Sequence, residues 1–208
     1  MNRAILTLST AALLALGTAA TRGQSTPSTA TPPLAQLTES GKVVLDGKSA
    51  PYVIHRLPVS SFPELPSEIA ERLKERDCMI PQTYEAHRPE NVIRASLQRA
   101  GSSDWAVLCA AKGTVSLLVF FGASPSEPME LASAKETDRL QARGAGDTLG
   151  FDWGIDRASP EQVREAQSGM EPRPPPLSHD ALADSIIEQQ TVYHFYAKNA
   201  WTVVDMPD

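Results

Sequence analysis

The chain has 208 residues, with 19 Lys and Arg against 25 Asp and Glu, a formal charge of −6, and a mean hydropathy of −0.24. That length suits one domain with a tail. The acidic balance argues against nucleic acid and against an anionic membrane surface as partners, because both need clustered Lys and Arg.

The first 23 residues read as a secretory signal. Arg3 supplies the positive start, residues 4–16 are an Ala/Leu-rich apolar run, and Gly17, Thr18, Ala19 and Ala20 are small. Cleavage is expected after Ala19, Ala20 or Gly23. The run is short for a membrane span, which makes an N-terminal anchor the lesser alternative. Arg3 and Arg22 are two of the 19 basic residues, so the chain beyond residue 23 carries 17 against 25 acidic ones, a charge of −8. Residues 24–40 are rich in Ser, Thr, Pro and Ala, too polar to offset ordering entropy, and are expected to be a flexible linker. Residues 41–208 are expected to form a single globular domain.

Within that domain, residues 42–45 followed by Asp46 and Gly47 predict a short strand and a turn. A second strand is predicted over 52–57, bracketed by Pro51 and Pro58, a pattern that favours an edge or a short piece. Residues 65–77 predict a helix: Pro66 suits the first turn, and Leu65, Ile69 and Leu73 share one face. Residues 79–82 leave it extended, because Pro81 disfavours helix at Ile80. Strand alternation returns over 92–97, and residues 101–104 make a turn. Residues 105–111 and 115–121 are near-continuous apolar runs around Lys112-Gly113. They predict a hairpin covered on both faces.

Residues 122–128 read as loop, and 131–141 as a weak strand or an irregular segment. Residues 148–155 predict one strand whose apolar face holds Leu149, Phe151, Trp153 and Ile155, its glycines marking a bulge or close packing. Ser159, Pro160 and Gln162 open a short helix with a capping box, ending near Gly169. Residues 171–177, with four prolines, are a stiff connector. Three strands close the chain, over 185–188, 191–196 and 201–204, the last two as a hairpin. No fixed-period repeat runs along the chain, which disfavours a solenoid or propeller.

The two cysteines, Cys78 and Cys109, are most simply one disulfide in an exported chain. Closing a loop of about 30 residues is worth roughly 3–4 kcal/mol. Two free thiols, or a catalytic Cys with a His, are the alternatives. The sequence holds no GxSxG, HExxH, Walker loop or GxGxxG. His179, Asp180, Asp184 and His194 are the candidate ligands for a divalent metal or for hydrolysis, although their spacing matches no metal motif. The competing reading makes His179 and Asp180 loop chemistry and His194 a strand side chain. Asp104 is either a reactive carboxylate or, the better reading, a turn residue bonded to backbone N–H groups. Trp105, Trp153 and Trp201 are either a sugar-stacking platform or, better, core.

The segments Cys78-Met79-Ile80-Pro81-Gln82, Asn91-Val92-Ile93 and Asp104-Trp105-Ala106-Val107-Leu108-Cys109 resemble a group of uncharacterised exported bacterial proteins with a C-x-IPQ … NVI … DWAVLC pattern. The stretch from His179-Asp180 to Trp201 resembles that group's ending, with Ala181 and Leu182 where the group shows an Asp-Gly pattern. The Asp-Trp-Ala-Val-Leu segment is also similar to one strand of FG-GAP or VCBS-type repeats. The resemblance implies secretion and a shared core, and no activity.

These readings combine into an α+β fold: a mainly antiparallel sheet, or a two-sheet sandwich, with two short helices and the Cys78–Cys109 disulfide. The expected function is a non-catalytic binding or structural module of the cell envelope, periplasmic or extracellular. It would need no cofactor and would face an unidentified protein or polymer partner, with no membrane contact after signal cleavage. The alternative is a hydrolase or metal-dependent enzyme using the His179, Asp180 and His194 region.

Overall fold

The computed structural model describes residues 37–45, 47–123, 127–143, 147–173 and 175–205. The expected signal peptide and residues 24–36 of the expected linker lie outside them. Strands β1 (Leu37–Leu45) and β2 (Lys48–Pro58) lead into helix α1 (Ser67–Glu75), followed by β3 (Met79–Gln82), β4 (Val92–Ala95), β5 (Asp104–Ala111) and β6 (Thr114–Phe120). Then come β7 (Met129–Lys135), β8 (Leu140–Ala142), β9 (Leu149–Phe151), β10 (Trp153–Ala158), helix α2 (Pro160–Ala166), β11 (Ala181–Ile186), β12 (Gln190–Ala197) and β13 (Ala200–Asp205). Residues 37–40 therefore belong to a strand, not to the linker expected there. Their pairing partners on β2 supply the order that their composition lacks.

The described strands form a nine-stranded and a four-stranded sheet. The larger is mixed, a correction to the mainly antiparallel sheet expected. In it, β3 covers only residues 55–58 along one edge of β2. The open remainder of that edge, at Tyr52 and Val53, is taken by β9 running parallel to β2. β1 pairs along the opposite edge of β2, so β2 is internal and eleven residues long, neither an edge nor a short piece. Pro51 is tolerated because it lies before the first residue that meets β9, where the strand is paired on one side only.

The β5–β6 hairpin sits inside this sheet, in register from Trp105–Phe120 to Ala111–Thr114. Its two-residue turn takes positive φ at Lys112 (52°) and Gly113 (77°), the twist that suits a tight hairpin. Ala106, Leu108, Val115, Leu117 and Val119 face one core, and Trp105, Val107, Cys109, Leu118 and Phe120 face another. This is why both runs are apolar at consecutive positions. α1 lies over the second core through Ile69 and Leu73, on the face read from their spacing; the helix is shorter than the expected 65–77, and Leu65 joins the same core from the segment before it. Beyond the helix end, Asp77 takes the left-handed region at φ 57°, with Cys78 N–H donating back to Leu73 O (3.0 Å). Cys78 is bonded to Cys109 on β5, with Cα atoms 5.3 Å apart, and pins the helix end to the hairpin.

The first core is closed by the four-stranded antiparallel sheet β10-β11-β12-β13, whose Trp153, Ile155 and Leu182 join Leu108 and Leu117. Residues 148–155 are thus not one strand. The chain passes from the large sheet to the small one at Asp152, and both sides of the segment are buried. Three backbone bonds hold the crossing: Asp152 N–H to Arg139 O (3.0 Å), Ile187 N–H to Asp152 O (2.9 Å) and Tyr84 N–H to Phe151 O (2.9 Å). The close packing read from the glycines is real at Gly150, where an added Cβ would meet the Tyr84 Cβ at 2.5 Å. α2 opens with the predicted capping box, Ser159 N–H to Gln162 Oε1 (2.8 Å) and Gln162 N–H to Ser159 Oγ (3.2 Å). It packs on the outer face of the small sheet through Val163, against Ala181 and Ala183.

Asn91 is the polar tie between the sheets. It is buried and takes φ 68°, a region Asn tolerates better than most residues. Its Nδ2 donates to Pro81 O (2.7 Å) at the end of β3 and to Trp153 O (3.3 Å) on β10, while its Oδ1 accepts from Ile155 N–H (3.0 Å). Its carbonyl accepts from Leu108 N–H on β5 (3.0 Å). Removing the amide would strand buried backbone groups from both sheets. Asn91→Ala is therefore expected to lower unfolding stability by about 2–4 kcal/mol. A urea midpoint within error of the parent's would refute that role.

Candidate functional site

Of the four residues singled out in the sequence, Asp184 and His194 lie on strands of the small sheet, and His179 and Asp180 precede its strand β11. Leu182 stands opposite His194 and Asp184 opposite Val192, so Asp184 and His194 share the inner face. There Asp184 Oδ1 accepts from the Trp153 indole N–H (2.6 Å) and Oδ2 from His194 Nε2–H (2.9 Å). All three side chains are buried. The carboxylate thereby satisfies two buried donors inside the core.

His179 belongs to the other face. Its ring stacks on Phe195, the neighbour of His194 that points the opposite way along β12, with centroids 4.7 Å apart. Its Nδ1 donates to Asp180 O (3.1 Å), which leaves Nε2 as the acceptor in the neutral ring. Asp180 turns away. Its Oδ2 accepts from Ser96 N–H (2.9 Å), and its Oδ1 lies 3.8 Å from Arg157 Nε. The structure thus brings Asp184 and His194 together and separates them from His179 and Asp180. Among the described residues no three His, Cys, Asp or Glu side chains are placed to hold one metal ion.

The other nominated residues are structural. Asp104 is buried, with Oδ2 accepting from Gln98 N–H (2.8 Å) and Oδ1 from Gly122 N–H (2.9 Å), the turn role read from sequence. Trp105 and Trp153 are core residues in different clusters. Trp201 stacks with Phe121 (6.1 Å) beside Tyr196 (5.3 Å), so the three indoles form no common platform.

Of these residues, His179 opens onto a cleft. It is about 450 Å³ and lies between the turn after β4, at Gln98, Arg99 and Ala100, and the β12–β13 turn at Lys198 and Asn199, with Phe195 and Tyr196 in its wall. Its size falls in the range of small-molecule sites. Arg99 and Lys198 escaped the sequence reading because they are 99 residues apart and each sits in an ordinary-looking turn.

A second cleft, of about 410 Å³, is lined by Arg56, Glu39 and Glu136. Three of its charged residues close on one another, while Asp77 and Lys112 also line it. Arg56 donates from Nε and the Nη2 amine to Glu136 (2.7 and 2.6 Å), and the same Nη2 amine lies 2.9 Å from Glu39. The Tyr52 hydroxyl and Arg56 hold the Glu39 carboxyl below the usual carboxylate range, and Glu136 keeps Arg56 firmly protonated. This arrangement ties β1 and β2 to the turn after β7.

Comparison with known proteins finds no matching family model, no matching curated protein and no matching solved structure. No helix among the described residues is long and apolar enough to cross a membrane.

Asp152, at the crossing between the sheets, also went unnoticed in the sequence. It is buried, its Oδ1 has no partner among the described residues, and the Arg139 guanidinium beside it lies 4.1 Å from the Trp153 ring centroid. Burial pushes its carboxyl above the usual range, and Arg139 offsets this in part. A raised folded value means the protonated form favours the fold. That contribution is fully present below the ordinary value of about 3.9 and is lost as pH rises through the folded value. Asp152→Asn, which removes the buried charge, is expected to exceed the parent's stability at neutral pH, with the gap shrinking toward pH about 4. Urea midpoints at the two pH values check this; an unchanged gap would contradict it.

Proposed function

We propose that the protein is an exported, non-catalytic binding module acting in the envelope or outside the cell, with the His179 cleft as its recognition site. The observation that carries this reading is the division of the candidate catalytic set. His194 and Asp184 are spent inside the core on Trp153, and Asp180 is spent on the Ser96 backbone. His179 lines a cleft, and among the described residues of that cleft there is no Asp or Glu to serve as an acid, a base or an orienting partner.

Export is part of the proposal. The Cys78–Cys109 disulfide is compatible with an oxidising compartment, and the apolar start of the chain reads as a signal. The resemblance to exported proteins sharing the C-x-IPQ … NVI … DWAVLC pattern supports the same placement.

The purified domain is expected to show no turnover of ester, phosphate-monoester or glycoside chromogenic substrates above the level of its His179→Ala variant, with or without added zinc or manganese. Metal-stimulated turnover that disappears in His179→Ala would overturn the reading.

A further inference from the structure

We infer that the His179 cleft binds a small anionic ligand, a carboxylate- or phosphate-bearing hydroxylated molecule of sugar size. Arg99 and Lys198 would hold its charge, and His179 Nε2 would accept from a hydroxyl beside the acid group. This rests on the binding reading above and adds the chemistry of the ligand.

The first support is charge. The chain as a whole is acidic, yet Arg99, Lys198 and His179 are the only ionisable groups of acid–base type among the described residues lining this cleft apart from the Tyr196 phenol. Neither Arg99 nor Lys198 forms an ion pair among the described residues. The adjacent carboxylate, Asp180, is turned toward Ser96 and Arg157 instead. Two unneutralised cations at one concavity concentrate anions there. In the Arg56 cleft, by contrast, the guanidinium is already satisfied by two carboxylates.

The second support is preorganisation. The Arg99 turn is fixed at three points: Gln98 N–H donates to the buried Asp104 carboxylate (2.8 Å), Arg99 N–H to Ser102 Oγ (3.3 Å) and Ser102 N–H to Arg99 O (3.0 Å). Lys198 sits in a two-residue turn, with φ 52° at Lys198 and 62° at Asn199, closed by the Ala197–Ala200 pair. Both cations therefore project from backbones that need not reorder on binding, which lowers the entropic cost. The His179 ring is held by Phe195 on its face and by Asp180 O at Nδ1, so the remaining nitrogen is an oriented acceptor. An oriented acceptor beside two cations fits a ligand that presents a hydroxyl next to an acid group.

Glucose, glucuronate and glucose 6-phosphate test this, since they share a hydroxylated ring and differ in the group at one carbon. Each is titrated into the full folded domain while the His179 ring signals are followed by NMR. Both acids are expected to shift those signals with dissociation constants on the order of millimolar or below, and glucose to do so at least about tenfold more weakly. The double variant Arg99→Gln and Lys198→Gln replaces two exposed side chains and is expected to keep the fold while weakening the acids about tenfold or more. Added salt is expected to weaken them as well.

Binding by glucuronate alone assigns a carboxylate ligand, and binding by glucose 6-phosphate alone a phosphate ligand; either supports the inference. Glucose binding as tightly as the acids, acid binding unchanged in the folded double variant, or no response of His179 to either acid overturns it. Release of phosphate from glucose 6-phosphate would instead overturn the non-catalytic reading.

Discussion

The β5–β6 hairpin has no face it can show to water. Trp105 to Ala110 are all buried, as are Val115 and Leu117 to Phe120. A strand pair of this kind is stable only with an apolar layer on each side. α1, joined to it by Cys78–Cys109, is one layer, and the β10–β13 sheet is the other. Fully burying a Leu or Phe side chain is worth about 1.5–3 kcal/mol, so exposing either face would remove several such contributions at once. The helix, the disulfide and the second sheet are in this sense all consequences of one sequence run.

Polar groups are admitted to the interior where elements must be joined. Asn91 links β3, β5 and β10. Gln82 and Glu90 close the excursion between β3 and β4 by reciprocal bonds: Glu90 N–H to Gln82 Oε1 (3.0 Å) and Gln82 Nε2 to Glu90 O (3.2 Å). Asp184 bridges Trp153 and His194 across the small sheet. Each satisfies donors that would otherwise be buried without partners. The same bonds engage Asp184 and His194 inside the core. The proposed recognition cleft draws its charge from the exposed Arg99 and Lys198 turns instead.

Local signals were legible. The apolar face of α1, the α2 capping box, the Lys112-Gly113 hairpin, the Cys78–Cys109 pairing and the turn role of Asp104 all depend on residues close in sequence or on a simple count. Signals that depend on distant partners were not. Nothing near Leu149 announces that it will lie parallel to Tyr52, because parallel pairing has no local turn. The alternation of Leu149, Phe151, Trp153 and Ile155 reads as one strand, but Asp152 divides it between two sheets, and only the tertiary bonds of Asp152 reveal this. β11 begins at Ala181, earlier than the strand read from residue 185, because Ala181 to Asp184 are buried by α2 and β10, not by any alternation of their own. The site was half legible. His179 was nominated for metal chemistry, while its cleft partners Arg99 and Lys198 are brought to it only by the packing of the small sheet.

Two-sided burial of the hairpin is most directly tested by native-state hydrogen exchange. The amides of Ala106, Leu108, Leu117 and Val119 are expected to exchange only by global unfolding, with the highest protection in the domain and a denaturant dependence equal to that of the equilibrium transition. Amides of β12, β13 and α1 are expected to open at lower free energy. Exchange of the hairpin amides through local opening, while the small sheet or α1 stayed protected, would show that the hairpin is not the element the rest of the fold is built to cover.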